Sequence, residues 1–176
     1  MDYIIIRKVD FTKNILLEKL NKYLFNYLKN TNTYIFDIHK TIEYGDNNMD
    51  EVIFNFINKN HDKVNIILLS YDGNDERIIS NNNKLDEYSK IFKKIPKIFI
   101  KKRKKHYIIG YVAKLLNIKF NSYKKISFFD DNYLNITDAK KIVNNIPGLE
   151  IIHYTAHSNR KSDEAIDDIT KILKIN

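Results

Sequence analysis

The sequence predicts an α/β fold in which a parallel sheet of five strands is covered by helices on both faces, as a three-layer sandwich. Two observations predict it. Five short apolar runs alternate along the chain with segments whose apolar residues recur every three or four positions, which is typical of βα units. The runs are also apolar almost throughout rather than at alternate positions, as expected of strands that are buried on both faces.

The predicted strands are bounded by polar or helix-breaking residues. Pro96 starts the third strand, because proline is tolerated at a strand start but poorly inside a helix. Gly148 ends the helix that precedes the fifth strand. A shorter apolar run, 3–6, precedes the first helix. The five strands are predicted at 33–38, 64–70, 97–100, 125–130 and 149–154.

Helices are predicted where apolar residues return at helical spacing. In the first of them Leu16, Leu20 and Leu24 fall on one face, and the later ones repeat this pattern. A polar, asparagine-rich stretch at 71–83 interrupts the succession. The helices are predicted at 12–29, 49–58, 84–94, 104–116, 137–145 and 162–173.

The composition fits a single globular unit. The chain has 176 residues, of which 43% are hydrophobic and 30% charged, far from the composition of disordered chains. No segment rich in proline, glycine or serine divides it. We expect residues 1–32 to form an N-terminal extension with an amphipathic helix, and residues 33–176 to form the α/β domain.

Several classes of function are excluded by what the sequence lacks. Cysteine is absent, which rules out disulfides, thiolate metal sites and a cysteine nucleophile. His106, His153 and His157 match no zinc-ligand spacing and are interpreted as ordinary residues. No apolar run approaches the roughly 20 residues of a membrane span, and the first residues lack a signal-peptide layout. A cytoplasmic protein without a membrane partner is the expectation.

The net charge of +8 says little about partners. The chain contains 30 Ile, 26 Lys and 23 Asn, a composition typical of AT-rich genomes such as those of large DNA viruses. Part of the basic excess therefore reflects codon usage, and a viral protein, in a host cell or a virion, is the expectation. The run 101–105 predicts a solvated surface first and a nucleic-acid patch second.

Polar residues fall at the carboxyl ends of the predicted strands, where parallel sheets bind their ligands. Asp37, Asp130 and Asp131 would repel one another there unless a cation neutralised them, and oxygen ligands favour Mg²⁺. A carboxylate in such a site can attack phosphorus, with Ser70 donating to a phosphate oxygen and a lysine near Lys104 adding positive charge. Taken singly, Asp37 and Asp131 can equally be turn or helix caps, and a serine at the end of a strand, such as Ser70, is more often a cap than a ligand.

Four segments follow these strand ends in order. Residues 34–42 form an apolar strand followed by Asp37-Ile-His-Lys-Thr, residues 66–70 form a strand ending in serine, two lysines (104–105) precede a helix, and residues 127–136 form a strand, two acids and an Asn-Ile segment. Together they resemble the four motifs of the haloacid dehalogenase (HAD) superfamily, whose members are mostly phosphatases. The resemblance covers about residues 33–174. It is nearest to the small, nearly capless magnesium-dependent phosphatases and the polynucleotide 3′-phosphatases, and implies a Rossmann-like sheet with a minimal cap.

The resemblance implies a metal-assisted nucleophile. Asp37 would attack phosphorus and form an aspartyl-phosphate, with one of its oxygens on Mg²⁺. The backbone carbonyl of His39 and the side chain of Asp130 would complete the direct protein ligands. Asp131 would reach the metal directly or through water.

The resemblance also implies the groups that hold the phosphate. Ser70 and Lys105 would bind the phosphoryl oxygens and count with Asp37 as catalytic residues, and Thr41 would add a further phosphate contact. Lys104 is the fallback for Lys105, because this part of the chain aligns only to within a residue or two.

One position departs from the family pattern. The residue two after the nucleophile is normally an acid that protonates the leaving oxygen, and here it is His39. Histidine, with an ordinary pKa near 6.5, can carry out both proton transfers. The sequence therefore predicts a Mg²⁺-dependent phosphatase acting on a small or macromolecular phosphate ester. The alternatives left open are a catalytically impaired binding module on the same fold and a nucleic-acid 3′-phosphatase.

Overall fold

The structure is a computed structural model that describes residues 3–45, 48–122 and 124–156. Within these ranges the chain is α/β, with one parallel sheet and helices packed around it. The predicted α/β class, with a parallel sheet surrounded by helices, is therefore confirmed. The helix predicted at 162–173 and the side chain of His157 lie outside the described residues.

The sheet contains six strands in the order β1-β4-β3-β2-β5-β6, and every neighbouring pair is parallel. Five of them occupy the predicted positions to within two residues at either end. The strands are β1 (Tyr3–Ile6), β2 (Thr33–Phe36), β3 (Asn65–Tyr71), β4 (Lys97–Ile100), β5 (Ile126–Asp130) and β6 (Leu149–His153).

Five α-helices and three short 3-10 segments connect the described strands. The α-helices are α1 (Lys13–Leu24), α2 (Glu51–Asn60), α3 (Asp75–Tyr88), α4 (Lys105–Phe120) and α5 (Tyr133–Lys140). The 3-10 segments are Lys8–Asp10, Lys90–Lys94 and Val143–Asn145.

The sheet has one strand more than the five predicted. The extra strand is β1, whose Tyr3 and Ile6 pair with Lys97 and Ile100 of β4 at one edge of the sheet. A four-residue apolar run carries no local signal for a partner so distant in sequence. The first 32 residues are thus joined to the rest of the chain by a parallel strand pair, and α1 ends at Leu24, before the predicted boundary.

Most of the asparagine-rich stretch that was predicted to be irregular, residues 75–83, is helical and belongs to α3. Asn74 caps α3 by accepting a hydrogen bond from the Arg77 backbone, and acidic residues at the first turn favour the positive helix end. Ile78 and Leu85, seven residues apart, are buried on the sheet side. Helix α5 likewise begins earlier than predicted, because the Asn132 side chain caps it by accepting from the Leu134 backbone at 2.9 Å.

The core lies on both faces of the sheet, and neighbouring strand residues alternate between the two sides. In β2, Ile35 packs in a cluster with α1, α4 and α5, whereas Tyr34 and Phe36 pack in a second cluster with α2 and α3. Phe36 stacks on Phe129 of β5 with ring centroids 4.7 Å apart. Helices therefore cover both faces of the sheet, and side chains at the ends of its strands are positioned by this packed core. Among the described residues no helix combines the length and hydrophobicity needed to cross a bilayer.

Candidate functional site

Three carboxylates meet at the carboxyl edge of the sheet. Asp37 directly follows β2, Asp130 is the last residue of β5, and Asp131 comes next. Because β2 and β5 pair in register, with Phe36 opposite Phe129, the acids that follow them emerge side by side. One oxygen from each carboxylate lies within 4.8 Å of the other two.

Local hydrogen bonds fix the two inner carboxylates. The Asp37 backbone N–H donates to the Phe129 carbonyl at 2.9 Å, which continues the strand ladder up to the acid itself. Asp130 accepts from the Asn132 backbone at 2.8 Å and from the Asn135 side-chain amide at 3.1 Å. The turn that starts α5 therefore orients Asp130 into the cluster.

Lys105 joins the two inner acids. Its Nζ donates to Asp37 Oδ1 at 2.5 Å and to Asp130 Oδ2 at 2.7 Å. Lys105 is the first residue of α4 and is 3% exposed, while Asp37 and Asp130 are 6% and 0% exposed. The ammonium thus reaches the carboxylates from the helix that follows β4, two strands away from β2 in the sheet.

The cluster contains more acidic groups than basic ones. Burial raises the pKa of Asp37 and of Asp130, and Lys105 offsets only part of that effect. Burial alone would lower the pKa of Lys105, but the two carboxylates raise it above the ordinary value. One ammonium cannot balance three carboxylates, so the site favours an additional cation.

The donor set fits a hard divalent ion. The ligand atoms available in the cluster are carboxylate oxygens, held close together and largely shielded from water. Oxygen ligands of this kind suit Mg²⁺, which is usually bound by one or two carboxylates together with waters and substrate phosphate. Asp37, Asp130 and Asp131 are the residues that could hold it.

Two hydroxyl residues lie beside the cluster. Thr41 is fully buried and donates to Asp37 Oδ2 at 3.3 Å, so it orients the carboxylate. Ser70 is 1% exposed and is the penultimate residue of β3, the strand next to β2. It therefore reaches the same edge of the sheet as Asp37.

The two neighbouring lysines take different directions. Lys105 enters the carboxylate cluster, whereas the Lys104 Nζ lies 5.6 Å from the centroid of the Tyr107 ring. Lys105 therefore occupies the position beside Asp37, and Lys104 faces the outer surface.

His39 is held at the rim of the site. Its Nδ1–H donates to Glu43 Oε1 at 2.8 Å, and its Nε2 lies 3.0 Å from the Asn81 amide nitrogen. The hydrogen bond to Glu43 raises the pKa of His39 above its ordinary value. The side chain is 44% exposed, and the charge of Asp37 also contributes to the raised pKa of His39, so the ring lies within electrostatic reach of the cluster.

Comparisons with known proteins leave the site to be interpreted on its own chemistry. No protein-family model matches the sequence, and no curated protein gives a significant match.

Two polar residues of the rim were missed by the sequence reasoning. Glu43 lies four residues after His39 in the loop that follows β2, a spacing that could have drawn attention to it. Asn81 is on α3, in the stretch predicted to be irregular, and no signal in the sequence links it to His39.

Proposed function

We propose that this chain is a Mg²⁺-dependent phosphomonoesterase in which Asp37 forms an aspartyl-phosphate. The observation that carries the proposal is the convergence of Asp37, Asp130 and Asp131 around the buried ammonium of Lys105 at the carboxyl edge of a parallel sheet. A phosphate ester needs a nucleophile, a divalent cation and a fixed positive charge, and this cluster supplies a place for each.

The resemblance to the HAD superfamily supports the same proposal. Four motifs spread over about 100 residues of sequence contribute to one edge of the sheet: the Asp37 loop, Ser70, Lys105 and the Asp130 turn. Two of the connections that leave this edge are very short, with residues 72–74 between β3 and α3, and 131–132 between β5 and α5, whereas 37–50, between β2 and α2, spans 14 residues. We propose a HAD-like domain with a minimal cap, open to large as well as small phosphate esters.

Each residue of the cluster has a defined task in the proposed reaction. Mg²⁺ held by Asp37, Asp130 and Asp131 would offset the negative charge of the phosphoryl group. Lys105 and Ser70 donate hydrogen bonds to the phosphoryl oxygens and stabilise the charge that develops there. Thr41 keeps the attacking carboxylate oriented through its hydrogen bond to Oδ2.

The chemistry proceeds in two displacements. A carboxylate oxygen of Asp37 attacks phosphorus, and the bond between phosphorus and the ester oxygen breaks while His39 protonates the departing alkoxide. Water then attacks phosphorus and transfers a proton to His39, the bond from phosphorus to Asp37 breaks, and inorganic phosphate leaves. Glu43, which raises the pKa of His39, favours the protonated ring required in the first step.

The decisive experiment is phosphate release from an aryl phosphate by purified protein with Mg²⁺. We expect activity in the wild type and a loss of at least about 10³-fold in Asp37→Asn, since the nucleophile is removed. Asp62→Asn, a change at an exposed acid two residues beyond the end of α2, is the matched control and should leave the rate unchanged. No release from a broad panel of phosphate esters by the wild type would refute the proposal.

The alternative that a specific observation favours is a catalytically impaired binding module. His39 stands where the family's phosphatases carry an acid, and its ring is already engaged by Glu43 and Asn81. Mg²⁺ binding without turnover on any ester would support this alternative.

A further inference from the structure

A second group of charges lies next to the carboxylate cluster and is entirely basic. The turn between β4 and α4 contains Lys101, Lys102, Arg103 and Lys104 in succession. The Lys101 backbone N–H donates to the Ile6 carbonyl at 2.9 Å, so the end of β1 lies beside this turn. Two further cations, at positions 7 and 8, directly follow β1. We call these six residues the basic face.

Aromatic rings are interleaved with these cations. The Arg103 guanidinium lies 4.3 Å from the centroid of the Tyr71 ring, and the Lys102 Nζ lies 5.7 Å from that of Phe11. The Phe11 and Tyr107 rings are 6.4 Å apart, and Tyr107 is 44% exposed. Cations and rings thus form one continuous surface rather than a plain lysine patch.

Carboxylates neutralise only part of this surface. Asp75 forms ion pairs with Arg7 and Lys101, which accounts for two of the six cations. Within the described ranges no carboxylate forms an ion pair with Lys8, Lys102 or Arg103, and all three are exposed. These three side chains are therefore free to meet an anionic partner.

The basic face lies at the same edge of the sheet as the carboxylate cluster. Its cations follow the carboxyl ends of β4 and β1, and Lys105, which enters the cluster, directly follows the turn 101–104. The ends of β3, β4 and β1 are adjacent at about 4.8 Å per strand, which extends the face about 10 Å across the sheet edge. A chain of phosphates leaving the cluster would pass over it.

We infer that the substrate is a single-stranded nucleic acid with a terminal phosphate, whose adjoining nucleotides bind along the basic face. Cations that track a phosphate backbone, combined with rings on which bases stack, are what single strands require. The inference rests on the proposed function, because the terminal phosphate is the group that Asp37 attacks. A lone phosphate metabolite would have no use for a surface of this length.

The test separates strand binding from catalysis. Fluorescence anisotropy measures binding of a short oligo-thymidylate carrying a 3′- or a 5′-phosphate, in EDTA so that no turnover occurs. Lys8→Gln, Lys102→Gln and Arg103→Gln are combined in one variant. The matched control combines Lys90→Gln, Lys93→Gln and Lys94→Gln, three exposed lysines of the 3-10 segment that leads to the amino end of β4.

We expect the basic-face variant to bind the oligonucleotide about 10- to 100-fold more weakly at about 0.1 M salt, with a salt slope smaller by about 2 for three lost contacts. Tyr107→Ser should weaken binding by about tenfold through lost stacking. Aryl phosphate hydrolysis should be unchanged in both variants. The control should match the wild type in every assay, and melting curves check that all variants are folded.

The outcomes distinguish this inference from the proposed function. Equal binding by the basic-face variant and the control, or equal competition by poly-glutamate of the same charge, would overturn the inference even if aryl phosphate hydrolysis is robust. Strand binding that depends on the basic face, in a protein that hydrolyses no ester, would support nucleic-acid recognition and refute the phosphatase. Preference for one phosphorylated end identifies which terminus enters the cluster.

Discussion

One lysine is buried at the amino edge of the sheet, where the strands begin, and another at the carboxyl edge, where they end. The two lysines differ in their surroundings. At the amino edge, Lys97 is the first residue of β4, fully buried, and forms an ion pair with Asp86 of α3 at 3.4 Å. At the carboxyl edge, Lys105 contacts Asp37 and Asp130 at 2.5 and 2.7 Å. The first pair is neutral as a pair, whereas the second group keeps an excess of negative charge.

The difference between the two lysines indicates which buried charge is associated with a possible reaction site. A lysine matched by one carboxylate needs no further ion, and its contribution is to the fold. A lysine surrounded by more acids than it can neutralise creates a place for a cation, and burial makes that place selective for a well-coordinated one. The excess of charge, more than burial itself, distinguishes the edge that we propose to be functional.

The largest effect expected from this contrast is on turnover. Lys105→Met should reduce phosphate release by about 10²- to 10³-fold, because a positive charge that stabilises the transition state is removed. Lys97→Met should leave the rate near wild type and instead lower the free energy of unfolding by about 1–3 kcal/mol, since Asp86 loses its ammonium partner. Steady-state kinetics and urea unfolding measure the two quantities. A similar loss of rate in both variants would break the comparison.

A smaller loss of rate is expected at the rim of the carboxyl edge. His39→Ala should lower kcat by about 10²-fold for an alkyl phosphate, because the departing alkoxide then lacks its acid. The loss should be smaller for p-nitrophenyl phosphate, whose leaving group needs little protonation. An equal loss for both esters would argue against His39 as the acid. His39→Asp should retain turnover, and a large gain over the wild type would instead indicate an otherwise complete site that lacks its usual acid.

The third effect expected is on stability in the presence of metal. Mg²⁺ at about 100 times its Kd should stabilise the wild type by about 2.7 kcal/mol, because it binds the folded cluster and not the unfolded chain. Asp130→Asn should abolish this gain, and Asp86→Asn should preserve it. Thermal melting with Mg²⁺ or EDTA measures the shift. Equal stabilisation of both variants would place the bound ion elsewhere.

The sequence was sufficient for the central part of the fold. Runs such as 64–70 are apolar on both faces, as expected of a strand that is covered on both sides. Because ligands of parallel sheets bind at the carboxyl ends of the strands, the sequence also predicted that Asp37 and Asp130 lie at one edge. Their contact with Lys105 depended on the order of strands, which is a tertiary property. The spacing of residues in the sequence did not show which of Lys104 and Lys105 enters the carboxylate cluster. The start of α4 determines this, because it directs Lys105 into the cluster and Lys104 towards Tyr107.

The elements and contacts that the sequence did not predict were missed for physical reasons. Helix α3 exposes most of its length and buries few apolar residues, so its composition resembles a loop although Asn74 caps it clearly. Because that helix was missed, its Asn81 could not be linked to His39. β1 was not assigned to the sheet, because its partner β4 is contributed by a part of the chain far away in sequence.

The pairing of β1 with β4 also determines the order in which the molecule can fold during synthesis. Tyr3 pairs with Lys97, so the strand made first needs a partner made 94 residues later. At about 5–20 residues per second the ribosome delivers that partner about 5–20 s afterwards. The central pair, β2 with β3, requires a wait of only 32 residues, from Thr33 to Asn65. The β2–β3 pair can therefore form while the N-terminal strand is still unpaired, and the basic face, which includes residues at the ends of both β1 and β4, is completed only afterwards.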